Sequence, residues 1–331
     1  MLAGHMHATV LRAFGPPESL TYETVEPPVA GPGQVRIAVG AAGVHLVDTK
    51  LRAGEAMGPF PLPALPAIPG REVAGVVETV GAGVDPSWLG RRVAAHLGMA
   101  SRGYAELAVR EVEELLPIPD GLGDAAAVAL IGTGRTTMGV LRVAPPGPDD
   151  VVVVPAAAGG MGALLVQAAK HAGATVVGAA GGASKVELVR ELGADVAVDY
   201  GADGWADEVR ATLDGRAATI VYDGVGGAPG RAAFELLGPG GRLVVFGWSA
   251  GAPTAYTPME VVGRGLTVDG AIGPRMAIVP GGVRALQEAA LAAAARGEWR
   301  PLTTVFPLAE AAAAHAALEG RATTGKVVLV P

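Results

Sequence analysis

Residues 151–200 constrain the fold more than any other stretch of the chain. Val151-Val152-Val153-Val154 is a β-branched run, too short for a helix of ordinary length and suited to a strand buried on both faces. Pro155-Ala156-Ala157-Ala158-Gly159-Gly160-Met161-Gly162 follows. Leu164, Leu165, Val166 and Ala169 then recur at helical spacing, and Gly173 closes that helix. Thr175-Val176-Val177 reads as a second strand. Strand, glycine turn, helix and strand make one βαβ unit, whose turn reads A-x-G-x-x-G with Ala157 in the place of the usual first glycine. Gly159 lets backbone approach a pyrophosphate with no Cβ in the way, and Gly162 lets the helix lie against the first strand. The N–H groups of the helix start then hold phosphates. A glycine pattern is weak by itself in a chain with 50 Gly, and the flanking strands and helix give it weight. The competing reading is a tight turn with no ligand.

The end of the second strand chooses between cofactors. An NAD site usually places an acid about 20 residues on, against the ribose hydroxyls. Here the strand runs into Gly178-Ala179-Ala180-Gly181-Gly182-Ala183-Ser184-Lys185, with no acid before Glu187. A carboxylate repels a 2′-phosphate, whereas Ser184 and Lys185 can bind one, which favours NADPH. Lys185 as a solvated first-turn residue is the alternative. The chain has four lysines among 25 basic residues, and that scarcity weighs slightly toward a task for Lys185.

At 331 residues the length suggests two domains. Met1–His5 reads as a cloning remnant before a start at Met6, and no signal peptide or membrane-spanning apolar run is visible, so a cytoplasmic location is expected. Zero cysteines exclude disulfides and thiolate metal sites. A net charge of −7 argues against a nucleic-acid partner. Residues 6–128 read as short strands between Pro/Gly turns: His7–Phe14, Thr21–Val25, Gln34–Val44, Ala74–Val80, Arg92–Ala95 and Tyr104–Arg110. A helix at Leu46–Ala53 and a proline-rich loop, Pro59–Pro69, interrupt them, which suggests a barrel-like β-rich domain. Residues 129–272 alternate helix and strand, as in a doubly wound parallel sheet. Residues 273–331, with helices at Val283–Arg296 and Leu308–Leu318 and a strand at Lys326–Val330, fit a return to the first domain.

Four segments carry a resemblance. Residues 41–54, A-A-G-V-H-L-V-D-T-K-L-R-A-G, look like A-x-G-x-N-x-x-D-x-x-x-R-x-G. Ile68–Gly75 contains P-G-x-E-x-A-G, residues 157–162 match A-x-G-G-V-G, and Arg321–Leu329 resembles a closing strand. From His7 to Pro331 the chain resembles the medium-chain dehydrogenase/reductase superfamily, in its zinc-free quinone oxidoreductase branch. The resemblance implies a discontinuous GroES-like catalytic domain, a Rossmann domain, a cleft between them and a homodimer. It implies hydride transfer from NADPH to a quinone or related conjugated carbonyl. Reduction of the C=C of an α,β-unsaturated thioester or ketone is the close alternative, and a non-catalytic NADPH-binding protein the alternative of another class.

Zinc-dependent relatives hold their metal through Cys, His and an acid. Here Gly43 or Val44 stands near the Cys and Arg71 replaces the His; one carboxylate, Glu72, does not hold zinc, so a metal-free site is expected. Two departures from the branch's pattern matter: His45 stands for Asn and Lys50 for a frequent Tyr, at positions that face nicotinamide and substrate in relatives. His45 is a candidate donor to the acceptor, against a buried histidine satisfied by a backbone carbonyl. Lys50 is the second candidate donor, against a surface lysine. Asp48 reads as a cap or brace and Arg52 as an ordinary ion-pair partner. Carried over by position, the cofactor contacts are Thr136, Ala158, Gly159, Gly160, Met161, Gly162, Gly181, Ser184, Lys185, Tyr200, Phe246, Trp248, Ser249 and Arg321. Trp248 is a bulky departure that either shapes the acceptor pocket or simply packs.

Overall fold

The computed structural model describes every residue except Met1, Leu2, Ala3 and Pro59, with the backbone alone for Ala100 and Ala277. Part of the expected cloning remnant and the first residue of the proline-rich loop therefore lie outside the described residues. The chain forms two compact units, Met1–Gly132 with Leu302–Pro331, and Thr133–Pro301.

In the first unit, strand Gln34–Val44 is the hub of a seven-stranded sheet. Its first residues alternate between buried and half-buried, and its last four are all buried, so the strand enters the core toward Val44. It pairs antiparallel with Glu72–Val80, with Leu107–Glu111 and with the C-terminal strand Lys326–Val330, where Val328 faces Gly43. Strand Thr303–Pro307 adds to Lys326–Val330 in parallel and was not anticipated; its half-buried Thr303-Thr304 and exposed Val305 give no clean alternation. Helix Leu46–Ala53 follows the hub strand and stops at Gly54, whose φ of 87° is the left-handed cap that glycine accepts most readily.

In the second unit six parallel strands lie side by side in the order Val196–Asp199, Thr175–Ala180, Val151–Pro155, Ala218–Asp223, Leu237–Val245, Thr267–Gly270. In chain order that is third, second, first, fourth, fifth, sixth, the doubly wound arrangement whose direction reverses between the first and fourth strands. Val151–Pro155 is buried throughout, as its β-branched run implies. The sequence carries no expectation of helices Trp205–Thr212 and Pro258–Arg264, nor of the single turn Pro274–Ala277. Trp205–Thr212 is only eight residues long, with a narrow buried stripe of Trp205 and Val209, and Pro258–Arg264 buries nothing. The second did carry a legible start signal, Thr257 and Glu260 in a reciprocal capping box with Pro258 between them.

The second unit runs to Pro301 rather than ending at residue 272, and it begins at Thr133 rather than 129. Helix Gly282–Ala295 causes the first difference. Leu286 reaches over Gly139 of helix Arg135–Val143, so the helix packs on the parallel-sheet unit rather than returning with the last strand. Among the described residues no helix is long and apolar enough to cross a membrane.

Candidate active site

Glu72 opens strand Glu72–Val80 and is fully buried. One of its oxygens, Oε1, is 2.9 Å from His45 Nε2 and 2.5 Å from Lys326 Nζ. Both distances lie within ion-pair range, so the two side chains share one carboxylate oxygen. Burial by itself raises the Glu72 carboxyl, but the charges of His45 and Lys326 outweigh it and hold the group well below the usual carboxylate range. Two glycines make room. Gly43 on the paired strand and Gly132 in the π turn Leu130–Gly134 both pass so close that a Cβ would strike the carboxylate, and one at Gly132 would also come within 2.6 Å of His45 Cε1. His45 caps helix Leu46–Ala53, and its backbone N–H donates to Asp48 Oδ2 at 2.8 Å. Its ring remains about a quarter exposed. The partner of the imidazole is thus a carboxylate and not a backbone carbonyl.

Lys326 was missed as a site residue. The only signal was a lysine placed directly before an apolar strand, Val327-Val328-Leu329-Val330, in a chain that seldom uses lysine. Lys50, the second candidate donor, extends to the surface and pairs with Glu55 at 3.0 Å.

Asp48 both caps and braces. Its Oδ1 accepts from Arg71 Nη2 at 2.9 Å, and Tyr104 Oη donates to its Oδ2 at 3.4 Å. Tyr104 Oη lies 3.1 Å from His315 Nε2. Neither Tyr104, in the bend before strand Leu107–Glu111, nor His315, in helix Ala311–Glu319, carries a sequence signal that marks it out. Burial raises the Tyr104 phenol well above its usual range, with Asp48 adding to the effect. Burial lowers His315 to about 4 from 6.5; Arg52 works in the same direction and Asp48 against it. The unfolded chain therefore binds a proton at His315 that the folded protein refuses between pH 6.5 and about 4. Stability from this group is complete above 6.5 and falls with pH through that window, by roughly 3 kcal/mol. A His315→Phe variant should show a flatter dependence of the urea midpoint between pH 7 and 4.5 than the parent protein; an unchanged slope would count against His315 as its source.

Apart from Thr136, the cofactor candidates of the second unit fall into three groups. Ala158 and Gly159 form the turn after the central strand, and Gly160, Met161 and Gly162 begin helix Gly160–His171, which has no side-chain cap on its N-terminal N–H groups. Gly181 follows the second strand with the Tyr200 ring packed 3.8 Å from where its Cβ would be. Ser184 and Lys185 lie in the first turn of helix Ala183–Glu191, also uncapped by a side chain. Phe246, Trp248 and Ser249 follow strand Leu237–Val245; the Phe246 N–H donates to Asp223, and Ser249 N–H to Gly224. Asp223 is buried and fixes this region by accepting from Val225, Gly226 and Thr254. Trp248 is 47% exposed, so packing alone does not account for it. Thr136 is half-buried in helix Arg135–Val143. Arg321 belongs to the first unit, exposed and at φ 54°.

Residues 31–120 match the family described as Alcohol dehydrogenase GroES-like domain, and residues 160–288 the family described as Zinc-binding dehydrogenase. The chain is 34% identical over 322 residues to a quinone oxidoreductase of Pseudomonas aeruginosa, a match covering 96% of this chain and 98% of that one. The chain belongs to the medium-chain dehydrogenase/reductase superfamily, in its quinone oxidoreductase-like branch. It is also 33% identical over 335 residues to a 2-haloacrylate reductase of a Burkholderia species, covering 98% of both. Among solved structures, an Escherichia coli quinone oxidoreductase in complex with NADPH superposes with a TM-score of 0.85 at 27% identity, over 98% of this chain and all of that one. Membership makes the protein an oxidoreductase with a GroES-like and a Rossmann domain. Among the described residues no three metal-ligating side chains stand together.

Proposed function

We propose that the protein is a zinc-independent, NADPH-dependent reductase that passes hydride to a quinone or related conjugated carbonyl. The observation that carries this reading is the pair of uncapped helix starts, at Gly160 and Ala183, that follow the first two strands of the parallel sheet. The first suits a pyrophosphate; the second, with Ser184 and Lys185 in its opening turn and no acid at the strand end, suits a 2′-phosphate. The NADPH complex of the Escherichia coli relative supports the same choice. NADPH supplies the hydride when bound; the chain's own groups do the rest.

His45 is the proton donor for the acceptor in this reading. Glu72 stays ionised and fixes the imidazole through Nε2, which orients the ring for proton delivery. Lys50, engaged with Glu55 at the surface, is the weaker candidate. Zinc does not fit these residues. There is no cysteine, Arg71 offers no lone pair, and the Glu72 oxygen is already taken by Lys326 and His45. Reduction of an activated C=C is a second reading, supported by the 2-haloacrylate reductase relative. The edge strand Thr267–Gly270, with exposed Ile272 and Ile278 soon after it, suits pairing with a second copy.

Titration with NADPH and NADH, followed by nicotinamide fluorescence, tests the cofactor. NADPH should bind at least about tenfold more tightly, and Lys185→Ala should remove most of that margin. Equal binding of NADH would overturn the cofactor assignment. Stopped-flow oxidation of bound NADPH by quinones and enones then tests turnover, and His45→Asn should slow whichever acceptor needs a proton delivered.

A further inference from the structure

The first unit contains a cavity of about 470 Å3 beneath the proline-rich loop and beside helix Leu46–Ala53. Its walls combine apolar side chains, Phe60, Leu62 and Met99 among them, with three arginines, Arg52, Arg71 and Arg102. Arg52 and Arg71 are only 3% and 6% exposed. Arg52 Nε and Nη1 and Arg71 Nε are buried donors with no partner among the described residues. Such groups are costly to leave unmet, because each has given up water without gaining an acceptor.

We propose that this cavity is a subsite for a monocarboxylate carried on a small apolar body; on the reductase reading above, on which this assignment to the reaction rests, that carboxylate is the anionic end of the acceptor. Charge argues for a single negative charge. Asp48 engages Arg71 and Glu319 engages Arg52, each through Nη2, which leaves one net positive charge among the three guanidinium groups. A monoanion neutralises it, whereas the dianion of a phosphate monoester would exceed it. Geometry argues for a planar acceptor, since the Phe60 ring covers Arg71 at 4.2 Å and leaves the guanidinium edge as the polar surface. The far wall is held under strain. Ser101 and Arg102 both sit in the left-handed region, at φ 59° and 74°. They are pinned there by Ser101 Oγ donating to Gly70 and Arg102 N–H donating to Ile68. Two consecutive non-glycine residues in that conformation, facing a cavity with unmet cations, fit a wall shaped for a ligand.

The test is calorimetric titration of the full chain, with and without saturating NADPH, using cyclohexanecarboxylate and the neutral, similarly shaped cyclohexanecarboxamide. The acid should bind roughly tenfold or more tightly than the amide, as expected when charged hydrogen bonds replace neutral ones. Arg71→Gln should abolish the preference, and the exposed Arg102→Gln should reduce it. Equal affinity for acid and amide, or a preference that survives both substitutions, would overturn the subsite. Should Arg71→Gln fail to fold, the parent protein and Arg102→Gln still decide. Both ligands are saturated, so the titration does not depend on turnover. Acid preference with no acceptor reduced would sink the reductase reading and leave the subsite standing. Reduction of neutral acceptors with no acid preference would do the opposite.

Discussion

Glu72→Gln should destabilise the protein by about 3–5 kcal/mol, the usual cost of removing one partner from a buried ion pair. The substitution keeps the shape of the side chain and removes its charge, leaving Lys326 as a cation that is 4% exposed with no counter-charge on its neighbour. The double variant Glu72→Leu with Lys326→Met should recover most of that loss, because a buried pair exchanged for apolar groups is often neutral. The acid limb follows with a definite sign. The folded Glu72 carboxyl lies far below its ordinary 4.5, so its contribution is fully present above pH 4.5 and drains away as pH falls below that value. The parent should therefore lose urea resistance below pH 4.5 more steeply than the double variant. A Glu72→Gln protein within about 1 kcal/mol of the parent would show that the pair contributes no more than a surface contact.

Gly162→Ala should cost about 2–3 kcal/mol and weaken NADPH by at least roughly tenfold. The added methyl meets the carbonyl oxygen of Ala156 and stands 2.8 Å from Ala157 Cα. Both are backbone atoms, so no rotamer change relieves the clash. Helix Gly160–His171 must move off the strand, and its phosphate-holding N–H groups move with it. Gly159→Ala is the control. Its Cβ would lie 3.2 Å from the Ala156 oxygen, a contact that a small shift accommodates, so stability should hardly change while cofactor affinity falls. If Gly162→Ala lowered neither thermal stability nor affinity, the close helix–strand contact would not be what the turn needs glycine for.

Elements whose information is local are legible in the sequence. Gln34–Val44, Leu46–Ala53 and Lys326–Val330 have the bounds expected of them, because alternation, a helix cap and a β-branched run are each written in adjacent residues. The βαβ unit is legible for the same reason, since strand, turn, helix and strand all fall within fifty consecutive residues. The helix Pro258–Arg264 was missed although its capping box is equally local. Trp205–Thr212 is hard to read because its apolar stripe is one residue wide and spans only eight residues.

What the sequence by itself determined is therefore the two-part α/β architecture, the dinucleotide turn and the absence of any cysteine ligand. What only the tertiary structure decided is the company each charge keeps. Lys326 lies almost at the end of the chain and reaches Glu72 only because the last strand pairs with Gln34–Val44. Arg52 meets Glu319 across a similar gap in sequence, and Asp48 gathers Arg71 and Tyr104 across shorter ones. Helix Gly282–Ala295 joins the second unit for a comparable reason, because an apolar face does not name its partner. Local propensity is a property of neighbouring residues, but a buried charge is tolerable only beside its counter-charge, and that pairing exists only once distant strands have come together.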